Sequence, residues 1–179
     1  LLADGATDSD YVRETGAPGV VVDPAFVPPT WLPASSQSSL GLSRWIWVDD
    51  QASFVGSTVF STSFDLTSYD ETKASLDLDV AADIRVDILL NGVTKAAITG
   101  ATASNYNQFH RFTLTGDFVA GKNTLSFAAE NTGFEGGLRV AASGSIDTQP
   151  SAVPLPASFP LLLASLSALA FLRRRLRSA

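Results

Sequence analysis

Apolar and polar residues alternate with a period of two through the middle of this chain, over residues 44–147. In Lys73–Asp83, Leu76, Leu78 and Val80 share one side while Asp77 and Asp79 share the other. In Asp83–Gly92, Ile84, Val86, Ile88 and Leu90 stand opposite Arg85 and Asp87. Leu125, Phe127 and Ala129 alternate with Thr124, Ser126 and Ala128 in the same way. Period-two alternation is the mark of a half-buried strand. Further strands are predicted at 44–48, 58–66, 93–98, 108–114 and 137–146, and no window of this zone has ten residues of helical periodicity. Asn91-Gly92 sits between two strand-like runs, and both residues tolerate the positive φ that a type I′ hairpin turn requires.

Seven to nine short strands with apolar inner faces and Gly/Asn turns predict an all-β fold, an antiparallel β-sandwich with jelly-roll topology as the first expectation. Four zones follow. Residues 1–43 are a Gly/Pro/Ser-rich segment expected to pack on the sandwich, 44–147 form the sandwich domain, 148–152 form a polar linker, and 153–179 form a distinct tail.

The tail reads Val153-Pro154-Leu155-Pro156-Ala157, then an uncharged run over 159–172, then Arg173, Arg174, Arg175 and Arg177. Fourteen helical residues rise about 21 Å against a hydrocarbon core of about 30 Å. The helix therefore reaches across only if the arginines snorkel or the bilayer thins. The arginines act as a stop-transfer cluster that stays on the cytoplasmic side and leaves the sandwich outside. This order of motif, short helix and basic cluster resembles the C-terminal sorting signal of PEP-CTERM proteins in its VPLPA variant. Leu155 stands where the commoner form has an acidic residue. The resemblance implies recognition by an exosortase in the inner membrane of a Gram-negative bacterium, removal of the tail near the motif, and release to the cell surface or extracellular biofilm matrix. The segments Ser61–Leu66, Ala82–Val93, Phe118–Asn131 and Gly137–Ser145 resemble the galactose-binding-like sandwich domain, whose members often bind sugars and in some cases carry Ca2+.

Charge narrows the function further. Residues 1–152 hold eight basic and eighteen acidic residues, a net of −10, and such a body repels phosphate backbones, so no nucleic-acid partner is expected. The chain has no cysteine, which removes thiolate metal sites and thiol nucleophiles. The single histidine, His110, lies on a predicted strand beside Arg111, there is no Gly-x-Ser-x-Gly elbow, and the four glutamates have no paired context. No catalytic residue and no obligate cofactor are expected.

Candidate binding residues are Trp31 in Pro-Pro-Thr-Trp-Leu-Pro, read as an exposed aromatic, with Asn105, Asn107 and Asn131 as polar ligands. Trp45 and Trp47 are read as core, with a sugar-stacking platform as the alternative. Asp49, Asp50 and Asp83 are the oxygen donors available for Ca2+, without the spacing of an EF-hand. The function expected is that of an exported, non-catalytic surface or matrix protein with a binding or structural role towards exopolysaccharide. One alternative is a permanently membrane-anchored subunit that acts by self-assembly, and another is a carbohydrate-active enzyme.

Overall fold

A computed structural model describes residues 2–83, 85–100 and 103–146. The tail calls at 153–157, 159–172 and 173–177 lie outside the described residues. Ten strands form the fold: β1 (Thr7–Arg13), β2 (Pro18–Val21), β3 (Trp45–Trp47), β4 (Gly56–Asp65), β5 (Ser75–Ala82), β6 (Arg85–Leu90), β7 (Val93–Ile98), β8 (His110–Thr115), β9 (Lys122–Asn131) and β10 (Leu138–Ser145). A single turn of helix, α1 (Ala103–Asn107), interrupts them. The hydrogen-bonded order is β7-β6-β9-β4-β1-β2-β3-β10-β5-β8. Neighbouring strands are antiparallel throughout.

The all-β prediction holds, and so does the hairpin. Asn91 and Gly92 adopt φ of 51° and 82°, with Leu90 opposite Val93 across the turn. The N-terminal segment does more than pack on the sandwich, because β1 and β2 lie in the middle of the strand order. Their pattern hides them. β1 is Thr-Asp-Ser-Asp-Tyr-Val-Arg, and its register breaks between Asp8 and Val12, so no clean alternation survives.

The sheet curls so that its two outermost strands meet. Lys95 of β7 donates to the Thr115 carbonyl at 3.2 Å and pairs with Asp117 at 2.7 Å. The main core fills the space enclosed. Phe60, Phe127, Ile88 and Leu90 from one side meet Ile46, Leu78, Val80 and Leu138 from the other, each 3% exposed or less. Trp47 closes on Phe60 with ring centroids 5.8 Å apart. Each such side chain contributes about 1.5–3 kcal/mol on burial.

The same buried cluster continues on the other face of β3, β10 and β5, where it takes in Trp31, Leu32, Trp45 and Ala81. Direct pairing puts Trp45, Arg139 and Ala81 side by side on that face. Trp31 lies against Trp45 at 4.5 Å, and the Trp45 indole donates to the Leu32 carbonyl at 2.9 Å. Leu32 N–H in turn donates to the Tyr106 carbonyl at 2.7 Å. Arg139 is fully buried at the centre. Its guanidinium donates to Ser43 Oγ (3.1 Å) and to the carbonyls of Leu32 (3.2 Å), Pro33 (2.9 Å) and Ser36, and it sits 5.3 Å from the Phe109 ring centroid. Burial, with help from nearby Arg44, pulls the guanidinium down to about 10, so it remains charged at neutral pH. A second tie lies one strand over. Arg111 grips Asp79 through Nε at 2.8 Å and Nη2 at 2.7 Å, and it also reaches Ser39 Oγ at 2.7 Å. These hydrogen bonds hold the Asp79 carboxyl below the usual carboxylate range.

Arg139→Ala leaves the Ser36 carbonyl without its donor and takes one of two donors from each of the Leu32 and Pro33 carbonyls, so urea unfolding should show a loss of roughly 2 kcal/mol or more. Arg139→Lys should lose at least about 1 kcal/mol, because an ammonium lacks the planar fork. A loss below about 1 kcal/mol in the alanine variant would contradict this role for the guanidinium.

Candidate functional site

The β4–β9 register puts Gly56 opposite Asn131. The loop entering β4 (48–55) and the loop leaving β9 (132–137) therefore emerge at the same end of the sandwich. Local chemistry ties them together. Asp49 Oδ1 accepts from the backbone N–H of Gln51 (3.1 Å) and Ser53 (2.8 Å) and so shapes the first loop. Asn131, 1% exposed, donates from Nδ2 to the carbonyls of Phe54 (2.9 Å) and Phe134 (3.1 Å), while its Oδ1 accepts from Gly133 N–H at 3.0 Å. Trp47 Nε1 donates to the same Phe54 carbonyl at 3.0 Å, and Gly136 N–H donates to the Ala52 carbonyl at 2.8 Å.

Two glycines make this fit. A Cβ on Gly136 would come within 2.5 Å of the Trp47 ring, and one on Gly137 within 2.4 Å of the Trp31 ring. The loops are strained as well as tied. Ala52 and Phe134 take φ of 58° and 68°, in the left-handed region that side-chain-bearing residues avoid. Phe134 is 91% exposed, and exposed Val55 and Phe54 share the tip with it. Burying none of its ring while holding a strained backbone does not serve the core. The arrangement presents an aromatic face to solvent.

Carboxylates border this face. Asp83, just after β5, donates its N–H to the Gly137 carbonyl at 2.9 Å. Burial first, and the charge of Glu135 second, lift its carboxyl to about 6.

The residues expected from sequence divide into groups. Asn131, Asp49 and Asp83 do converge on the tip, as the clamp and flank of the loops. Trp31, expected to be exposed, is 4% exposed, because the Trp45 ring and the turn at Gly137 enclose it. Asn105 is also buried, at 3%, and its Nδ2 donates to the Gly100 carbonyl. Asn107 is exposed at the end of α1. Asp50 is exposed, and its carbonyl accepts from Asp23 N–H at 2.9 Å. Among the described residues no three His, Cys, Asp or Glu side chains are grouped to hold a metal, so Asp49, Asp50 and Asp83 do not form one ligand set. The sorting-motif residues 153–157 and the arginines at 173–175 and 177 lie outside the described residues, and no described helix is long and apolar enough to cross a membrane. Phe134, Phe54 and Val55 were missed. The one signal for Phe134 was a lone Phe-Glu pair among three glycines in Asn131–Gly137.

A larger open recess of about 680 Å³ runs along the side of the sandwich, lined among others by Asp8, Asp10, Tyr11, Arg44 and Thr62. Two of its charged groups are engaged within the chain. Arg44 pairs with Asp4, and Asp8 Oδ1 accepts from Asp10 N–H at 3.0 Å. Burial lifts both the Asp8 carboxyl and the Tyr11 hydroxyl above their usual ranges.

No protein-family model and no curated protein sequence matches the chain. Solved structures that resemble it include a family 35 carbohydrate-binding module from an environmental isolate, at TM-score 0.45 and 12% identity, covering 80% of this chain and 97% of that one. A family 35 module from Paenibacillus barcinonensis follows at TM-score 0.42 and 13% identity, covering 78% and 96%. The exo-β-1,3-galactanase of Phanerochaete chrysosporium, in complex with β-1,3-galactotriose, stands at TM-score 0.40 and 10% identity, with 80% of this chain and 30% of that chain covered. At that level of likeness the site is read from this chain's own geometry.

Asp83 gives a pH test. Its folded-state value lies above the unfolded 3.8, so the ionised form is disfavoured by folding. Full stability from this group is present below pH 3.8 and is lost as pH rises through about 6. Asp83→Asn should therefore be more stable than the parent at pH 7.5 by about 1–2 kcal/mol, after discounting for solvent screening, and the gap should close towards pH 4. Parallel stability curves across that range would refute the assignment.

Proposed function

We propose that this chain is an exported, non-catalytic β-sandwich protein of the jelly-roll, galactose-binding-like kind. It is delivered through an exosortase-type signal at 153–157, and it works at the cell surface or in the matrix by holding sugar rings of exopolysaccharide against the loop tip. One observation carries the binding half of this reading. Phe134 is 91% exposed while Asn131 holds its backbone in a left-handed conformation. The face of a pyranose ring is apolar and stacks on an aromatic face, while its rim of hydroxyls takes acceptors such as the Asp83 and Glu135 carboxylates. A single exposed ring supplies modest affinity, which suits a polymer with many repeats and a surface with many copies.

The delivery half rests on the residue-for-residue match of Val153–Ala157 to the VPLPA motif, followed in order by the uncharged run and the arginines. The last described strand, β10, ends at Ser145, eight positions before Val153, so cleavage near the motif spares every described strand. A non-catalytic role agrees with the places of the usual catalytic types. His110 heads β8 opposite Val80, and Glu14 is held by Val59 N–H at 2.6 Å.

Two measurements test the reading. In calorimetric titration with neutral hexasaccharides, Phe134→Gly should abolish binding while leaving stability unchanged or raising it by up to about 1 kcal/mol, because glycine relieves the positive φ. Undiminished binding in this variant would overturn the tip as the site. Mass spectrometry of the mature protein from producing cells should find a C-terminus near Ala157, whereas an intact Ala179 would favour the permanently anchored alternative.

A further inference from the structure

Strand β10 pairs with β3 only through Leu138 and Arg139, and with β5 along its whole length. Among the described residues, no strand lies beside one edge of β10 from Val140 onward. Ala142, Ser143, Gly144 and Ser145 are all exposed. The other free edges among the described strands carry charges of the kind that guards against pairing with another chain. β7 has Lys95, β8 has Arg111, the unpaired end of β4 has Asp65, and the unpaired stretch of β1 has Asp8 and Asp10. The exposed end of β10 has no charge, no proline and no register break.

We infer that this edge pairs with the same edge of a second copy, so that two β10 strands run antiparallel about a two-fold axis and join two sandwiches into one continuous sheet. Self-complementarity favours a second copy over an unlike partner. Centring the axis on Ser143 sets Ser143 opposite its own copy and Ala142 opposite Gly144, small on small, with no like charges facing. The carboxylates one strand behind are already occupied. Asp79 is gripped by Arg111 at 2.7 Å, and Asp77 accepts from Thr113 Oγ1 at 2.6 Å. The remaining obstacles are the Asp8 and Asp10 carboxylates, which line the same recess as Ala142, and the net −10 of residues 1–152, which is long-range and screened by salt. The contact is short and weak in dilute solution. It forms when copies are displayed densely, where effective concentrations reach the order of millimolar.

The test uses the full chain in nonionic detergent, by sedimentation over a range of concentrations from low salt to about 0.5 M NaCl, together with amide hydrogen exchange. The expected result is a reversible dimer that strengthens with salt and newly protects those amides of 142–145 that point away from β5. Ala142→Lys and Gly144→Lys should each weaken it at least about tenfold. Both should leave the thermal transition in place, since Ala142 is exposed and a Cβ at Gly144 meets nothing closer than 3.7 Å. A monomer at every concentration and salt would overturn the inference, and so would a dimer that keeps its affinity in both variants or gives those amides no new protection.

Discussion

A single buried guanidinium organises this molecule. Arg139 lies with no exposed surface under residues 32–43 and bonds three of their carbonyls and a hydroxyl. Taking a charge out of water is costly, and it is tolerated here because each guanidinium nitrogen donates to a directed partner and an aromatic face lies beside the plane. The consequence is long-range. A Pro- and Ser-rich stretch with little hydrophobic pattern of its own becomes a fixed wall, and that wall positions Trp31 against Trp45. The Trp31 ring then occupies the space that any side chain at residue 137 would need. The end of the 132–137 loop is thereby fixed from below, while Asn131 fixes its beginning.

The tip is thus preformed. Its two strained residues are held by backbone and amide hydrogen bonds to a rigid sheet end. Such strain persists only where surrounding contacts over-determine it. Preorganisation of this kind lowers the entropy lost on binding, which matters most for a site with little buried area to offer. The proposed stacking on a single ring and the proposed pairing of the β10 edge both suit many copies acting together on a repeating polymer.

Much of the fold was legible along the chain, because strands such as β6 and β9 bury one face and alternate cleanly. The Asn91-Gly92 turn was legible for a local reason, the tolerance of positive φ. β1 and β2 were not, since β1 contributes Tyr11 as its main inward group and breaks register beside it. Trp31 was misplaced as exposed because prolines around it look like a surface loop. Its cover comes from Tyr106 and Gly137, some 75 and 106 positions later, and no local pattern encodes that. Asn131, Asp49 and Asp83 were singled out for the chemistry they could offer a ligand, and they turn out to brace the site. Phe134 carried no periodic signal, because its value lies in a backbone conformation.

The account's central claim is that the 52–55 and 131–137 loops form the ligand face of a rigid sandwich. Amide chemical-shift mapping by NMR during titration with an exopolysaccharide oligomer tests it most directly. Perturbations confined to those loops and to Asp83, with β4, β9 and β10 unmoved beyond their ends, are the predicted result. Perturbations centred instead on the recess at residues 8–11 and 41–44, or spread through the sheets, would contradict it.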